Sequence, residues 1–310
     1  MTAALQVSAV SKWFGDTVAL SDVSFSSQPG VTGLLGHNGA GKSTLFDLLA
    51  GFTAPSQGTV RILGQDPRRE PSVHARLGLV PDNDGLWPFL TARQTVEFLA
   101  RHRGLIDPVR AAAMALSVVG LEGAADRRVA GFSKGMRQRV RLAQALAHDP
   151  EVLLLDEPLN GLDPAQRRAD VELIRRLGRE GRTVLVSSHI LAEVERMADR
   201  VLVMVNGRLV AEGTPAGVQE LLAQSARTVR VETDDPRGLA GLLLGEDSVD
   251  AVSLLPDALV VHTTDGAELA VRLPQLARQA DVLLRRIVPV GEDLESVFTR
   301  LTASARGAGR

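Results

Sequence analysis

The chain contains no cysteine, so disulfides and thiolate metal sites are excluded and no redox compartment is implied. It also lacks any apolar run approaching the roughly 18–20 residues of a membrane-spanning helix. Runs such as Val152–Leu155 and Leu242–Leu244 have the length of core strands or short helices. Met1–Val10 carries neither a basic segment nor a long apolar stretch, so it does not read as a signal peptide. A cytosolic chain is expected, and any membrane role needs another polypeptide for the spanning part. A formal charge of −2 excludes nucleic-acid binding through bulk positive charge, though not a local basic patch. At 310 residues and 45% apolar content, the chain is long enough for two domains with buried cores.

Short apolar runs alternate with helical patterns, which predicts an α/β domain with a largely parallel sheet. Val31–Leu35, Val152–Leu155 and Thr183–Ser187 read as buried strands, and Lys42–Ala50 as a helix stopped by Gly51. Thr91–Gly104 and Asp107–Gly120 read as helices, and Arg200–Glu212 as a hairpin about Asn206-Gly207. A second unit is expected from about Ser225. It reads as strand Thr228–Thr233, helix Arg237–Leu244, and strands Val249–Leu254 and Leu259–Thr263. Helix Glu268–Gln279, strand Val282–Pro289 and a final helix Leu294–Leu301 follow, with Leu294, Val297, Phe298 and Leu301 on one face. That order fits a small α+β ferredoxin-like module.

Gly36-His37-Asn38-Gly39-Ala40-Gly41-Lys42-Ser43 matches G-x-x-x-x-G-K-[ST] between a predicted strand and a predicted helix. Its glycines let backbone amides wrap a phosphate chain, and the helix start adds attraction for anions. Lys42 can reach the β- and γ-phosphates, and the Ser43 hydroxyl can hold Mg²⁺. Gly36 to Ser43, with Thr44, are the candidate nucleotide contacts. Chance alone would place such a motif in roughly one chain in a hundred of this length, so it establishes nucleotide binding without naming the enzyme class.

Val152-Leu153-Leu154-Leu155-Asp156-Glu157-Pro158 sets two acids at the carboxyl end of a buried strand, where ligands bind in open α/β sheets. Asp156 suits Mg²⁺, and Glu157 suits a general base or a residue orienting the attacking water. Alone, such a run is a common acidic turn; its weight comes from sharing a chain with the phosphate loop.

Phe132-Ser133-Lys134-Gly135-Met136-Arg137-Gln138-Arg139 resembles the signature motif of ABC ATPases, usually Leu-Ser-Gly-Gly-Gln followed by Arg-Gln-Arg. It departs at Phe132, Lys134 and Met136. The other landmarks follow in the family's order: Lys12-Trp13-Phe14-Gly15, Asn160-Gly161-Leu162-Asp163-Pro164 and Ser187-Ser188-His189. The resemblance covers about residues 5–224. It implies that Phe14 stacks on adenine and that Ser133, Lys134, Gly135 and Met136 contact the ATP of a partner chain. By the same resemblance Asp163 lies in a loop crossing a dimer interface, and His189 senses the γ-phosphate. Singly, Phe14 would pass as a core aromatic and His189 as a surface histidine. Asp82 stands where the family usually has a glutamine that touches Mg²⁺ and the attacking water.

The resemblance further implies a P-loop NTPase fold: a RecA-like sheet core, an antiparallel β part and a helical signature subdomain at about 88–147. The expected nucleotide-binding domain is 1–224, the accessory module 225–305, and 306–310 a tail. The implied cofactors are ATP and Mg²⁺. The implied partners are a second copy or a related cassette and an integral membrane permease, docked on helices in the region Pro88–Gly120. No nucleic-acid partner is expected, and the location is the cytoplasmic face of the membrane. The signature variant and the extra carboxyl-terminal unit resemble exporter subunits for drugs, antibiotics, lipids or polysaccharides. An importer ATPase with a regulatory module and a non-transport ABC ATPase are the alternatives; a P-loop kinase would leave the signature stretch unexplained.

Overall fold

The computed structural model describes residues 3–83, 85–225 and 228–289, and the chain divides into two units, Met1–Pro215 and Ala216–Arg310. The first opens with the hairpin β1 (Leu5–Phe14) and β2 (Thr17–Ser27), then β3 (Gly30–Leu35) and α1 (Lys42–Leu49). β4 (Gln57–Ile62) and β5 (Leu77–Val80) precede three helices, α2 (Ala92–His102), α3 (Pro108–Val118) and α4 (Lys134–Leu146). Next come β6 (Val152–Leu155), α5 (Pro164–Arg179), β7 (Thr183–Ser188), α6 (Leu191–Met197), β8 (Arg200–Val205) and β9 (Arg208–Gly213).

The main sheet has the order β5-β6-β7-β3-β8-β9; its first five strands are parallel and β9 pairs antiparallel at the edge. Every residue of β6 and β7 is buried, so neither strand alternates between a buried and an exposed face; β6 is wholly apolar, while β7 buries Thr183, Ser187 and Ser188 as well. β2-β1-β4 form a separate antiparallel sheet. One core joins the two sheets through Leu34, Leu45, Leu49, Leu154 and Leu202 with Leu5, Leu20 and Ile62. The P-loop NTPase architecture is as expected, with α2, α3 and α4 packed together as the helical part.

Several predicted boundaries coincide with physical stop signals. Thr91 caps α2 in a reciprocal capping box with Gln94, and Asp107 caps α3 with Pro108 at its first position. Asn206 and Gly207 both have positive φ, 46° and 76°, as a tight hairpin turn requires. β1, β2 and β4 were less legible because β1 breaks its own alternation: its pairing with β2 shifts register three times, and Ala9 has φ 48°.

In the second unit, α7 (Pro215–Ser225) comes first in the chain, its first residue lying in the preceding unit. β10 (Thr228–Thr233), α8 (Pro236–Leu243), β11 (Val249–Leu254), β12 (Ala258–Thr263), α9 (Gly266–Gln279) and β13 (Leu284–Pro289) follow. The sheet order β11-β12-β10-β13 is antiparallel throughout, the ferredoxin-like arrangement. Val231, Leu259 and Val261 pack against Leu239, Leu269 and Leu273 of the two helices. The last strand opens at Leu284, two residues later than Val282, because the Val282 amide still donates to the Ala277 carbonyl at the end of α9. The expected helix Leu294–Leu301 lies outside the described residues.

Candidate functional site

β3 lies between β7 and β8, and its last residue, Leu35, delivers the phosphate loop to the carboxyl edge of the sheet. The loop permits no side chain at two glycines. A Cβ on Gly36 would come 2.7 Å from the Met204 carbonyl oxygen, and one on Gly41 equally close to that of Ala19. Gly41 also has φ 101°, a left-handed conformation that starts α1 at Lys42. The buried Lys42 side chain folds back over the loop, Nζ donating to the carbonyls of Gly36 (2.6 Å) and His37 (3.1 Å). A cavity of about 330 Å³ is lined by Asn38, Gly39, Lys42, Ser43, Thr44, Asp82 and Glu157, among others.

Asp156 and Glu157 follow β6 directly. Ser187, near the end of β7, fixes both: its hydroxyl donates to Asp156 Oδ1 (2.6 Å) and accepts from the Glu157 amide (2.7 Å). Burial pushes the Asp156 carboxyl above the usual carboxylate range. Hydrogen bonds from Ser187 and Ser43 act the other way, while the nearby Glu157 and Asp82 charges add to the rise. Glu157 adopts φ 48°, uncommon for a residue with a side chain and a form of local strain typical of functional sites. Its carboxylate is shared. Oε1 lies 3.2 Å from Lys42 Nζ, and Oε2 lies 2.9 Å from Nδ1 of His189. Oε1 is buried and takes no hydrogen bond from the described residues, leaving an acceptor position suited to a water.

Oxygen donors fit a divalent cation here. The Ser43 hydroxyl hydrogen-bonds to the Asp156 carboxylate, and Glu157 and Asp82 lie near enough for their charges to act on it. Among the described residues no cluster of three or more His, Cys, Asp or Glu could cage a metal. The Ser43–Asp156 pair of oxygen donors suits Mg²⁺, which is commonly held by one or two protein oxygens with phosphates and water completing its shell.

The structure therefore brings the phosphate loop, Asp82, Asp156, Glu157 and His189 to one place. The remaining candidates stand elsewhere. Phe14 ends β1 and is 53% exposed as a residue, and the Lys12 ammonium lies 4.6 Å from its ring centroid; it is a surface aromatic, not a core one. Its strand partner Thr17 lines the cavity. Ser133 caps α4, its hydroxyl accepting from the Met136 amide at 3.2 Å. Gly135 and Gly161 are both closely approached: added Cβ atoms would lie 2.3 Å from Gln166 and Lys134 respectively. The signature turn thus packs against the 160–163 loop. Asp163 caps α5, Oδ1 accepting from the amides of Ala165 and Gln166, both at 2.9 Å.

Sequence reasoning missed Ser187 as the clamp on both acids, because nothing in its spacing distinguishes it from any strand serine. It also missed Arg141 of α4, which donates to the carbonyls of Pro81 (2.9 Å), Asp82 (3.2 Å) and Asn83. Arg141 ties the Asp82 loop to the signature helix.

The ABC transporter family profile matches residues 20–160. The chain is 36% identical to the Nod factor export ATP-binding protein I of Rhizobium etli over 304 residues, covering 96% of this chain and 93% of that one. It is 36% identical over 307 residues to the protein of the same name from Paraburkholderia xenovorans, with 97% of both chains covered. Among solved structures it is similar to cbiO1 from Clostridium perfringens, part of the ABC transporter complex cbiONQ. That likeness has a TM-score of 0.65 and 30% identity, over 70% of this chain and 91% of the other. It is also similar to a dimeric ATP-binding cassette in a post-hydrolysis state with ADP and Pi, with a TM-score of 0.62 and 25% identity. There, 68% of this chain and 98% of the other are covered.

Proposed function

Because the chain belongs to the ABC transporter family as an ATP-binding, ATP-hydrolysing subunit, we propose that it works as one of two cassettes closing around two ATP. In this reading the pair drives a separate membrane permease in the direction of export. Carrying this reading is the Lys42–Glu157–His189 cluster beside the phosphate loop. A chain with one phosphate loop and one signature turn supplies half of each of two composite sites. Export is supported by relatives named as export proteins that match nearly the whole chain. That support disfavours the importer and non-transport alternatives. The relatives' own cargo is theirs, and the cargo of this system would be read by its permease.

In the proposed mechanism the amides of 36–44 and the Lys42 ammonium bind the phosphates of ATP, and Phe14 stacks on its adenine. Ser43 and Asp156 would hold Mg²⁺, with Asp82 reaching it through water; the cation would neutralise charge on the phosphates. Glu157 Oε1 accepts a hydrogen bond from the attacking water and takes its proton, while Oε2 stays with His189. His189 is then set to contact the γ-phosphate. Ser133 and Gly135, with Lys134 and Met136, present the start of α4 to the nucleotide of the opposing chain, and Asp163 belongs to the loop crossing between chains. Loss of the γ-phosphate removes the contact that holds the two chains closed.

Residues 1–224 are proposed to do this work and 225–305 to form the accessory module. Among the described residues no helix is long and apolar enough to cross a membrane. Attachment to the cytoplasmic face through the permease is the proposed location. Trp87, Phe89 and Phe98 are exposed, with Trp87 edge-on to Phe98 at 4.9 Å, and they support permease docking along the 88–120 helices.

The test is sedimentation of the Glu157→Gln chain with ATP and Mg²⁺, beside an ATPase assay of the unsubstituted chain. A dimer with ATP, a monomer with ADP and measurable ATPase activity are expected. A chain that neither pairs nor splits ATP, alone or with its permease, would overturn the reading.

A further inference from the structure

A buried acid outside the nucleotide cavity connects two loops that the proposed mechanism uses separately. Glu193, in α6, is almost fully buried, and α6 packs against α5. Its Oε2 accepts from the Ser188 hydroxyl at 2.7 Å, and the Ser188 oxygen in turn accepts from the Ile190 amide at 3.0 Å. These bonds bracket His189 on both sides. Glu193 Oε1 lies 3.2 Å from Nε of Arg167, and the Arg167 guanidinium also reaches the Leu162 carbonyl at 3.4 Å. Leu162 precedes Asp163 in the loop expected to cross the dimer interface. A buried carboxylate needs polar partners, and those of Glu193 run from the arginine that reaches that loop to the serine beside the switch histidine.

We propose that Glu193 and Arg167 are positioning residues that relay the state of the 160–163 loop to His189 and, through it, to Glu157. Neither residue lines the nucleotide cavity, so neither is catalytic. A change at Leu162 that displaces Arg167 alters the partner of Glu193. That shifts the Ser188 anchor and the aim of the imidazole held against Glu157 Oε2. Such a relay would make hydrolysis respond to closure of the opposing chain. The proposal rests on the assignment of Glu157 and His189 given above.

The experiment measures kcat, KM for ATP and affinity for a fluorescent ATP analogue in the 310-residue chain. The variants are Glu193→Gln, Arg167→Met, Arg167→Lys and the double Arg167→Met/Glu193→Gln. Glutamine keeps an acceptor for Ser188 and removes the charge, so the fold is preserved. Expected are a fall in kcat of about ten-fold for Glu193→Gln with nucleotide affinity unchanged, partial rescue by Arg167→Lys relative to Arg167→Met, and a double variant no worse than either single one. Wild-type kcat in Glu193→Gln overturns the proposal. So do multiplicative effects in the double variant, or a loss of nucleotide affinity parallel to the loss of kcat. Glu157→Gln and His189→Ala run alongside as references. If these two keep normal turnover, the underlying site assignment has failed; if they lose it and Glu193→Gln does not, only the relay has.

Discussion

Glu157 and Lys42 face each other at 3.2 Å, so the residue proposed to activate water holds the lysine proposed to bind phosphate. The Lys42 ammonium has its other contacts on the loop's own carbonyls, which leaves the Glu157 carboxylate as its anionic partner. In the proposed mechanism an incoming triphosphate would compete for that ammonium and leave Glu157 to water and His189. The two roles are thereby coupled through one ion pair.

Replacing Glu157 with Gln removes the proton acceptor and loosens the hold on Lys42. Turnover is expected to fall by roughly 10²–10⁴-fold, the usual contribution of a general base. ATP affinity should stay the same or rise. Steady-state ATPase rates and a fluorescent nucleotide titration check both, and normal hydrolysis by the variant would remove Glu157 from the chemistry.

Lys42→Ala deletes the charge and the two bonds that brace the loop. Nucleotide affinity should drop by about 10–100-fold, the range of a hydrogen bond to a charged group. The same titration reads it; undiminished binding would place the phosphates elsewhere.

Asp82 lines the cavity and adds to the repulsion at Asp156. Asp82→Gln restores the more usual residue of the family without that charge, so turnover should stay within about three-fold of wild type. Complete loss of activity would show that the carboxylate itself takes part.

Asp156 is held above the ordinary carboxylate range by burial, so its ionised form costs stability near neutrality. That cost vanishes as pH falls below the unfolded-state value. Asp156→Asn, which keeps an acceptor for Ser187, should therefore raise the thermal midpoint of the nucleotide-free chain at pH 7–8, with the gain shrinking on acidification. Each 1 kcal/mol recovered corresponds to roughly 2–4 °C in a unit of this size. Differential scanning calorimetry across pH tests it, and a gain that grows toward acid would contradict the sign.

His148 sits against the Leu77 carbonyl (3.0 Å) and Arg103 (3.1 Å), and burial followed by the Arg103 charge lowers its pKa to about 4. The neutral ring thus contributes stability above its unfolded value near 6.5, and that contribution is lost as pH falls toward 4. Urea midpoints measured from pH 7 to 4 should decline more steeply in wild type than in His148→Gln. Parallel slopes would show that His148 does not carry the acid sensitivity.

The sequence by itself determined the local chemistry of this protein. The spacing of Gly36, Gly41 and Lys42 matches a phosphate-loop motif, and the φ of 101° at Gly41 is one that glycine adopts freely. The unbroken apolar runs encode buried parallel strands, and Thr91, Asp107 and Asn206-Gly207 encode where elements start and turn. What the tertiary structure decided is which distant groups share a charge. Glu157 meets Lys42 and His189, Ser187 clamps both acids, and Glu193 meets Arg167, across separations of 26 to 115 residues in the chain. Such pairings leave no periodic trace. They depend on strand order and on the energetic need of buried charges for partners, and both exist only once the sheet has assembled.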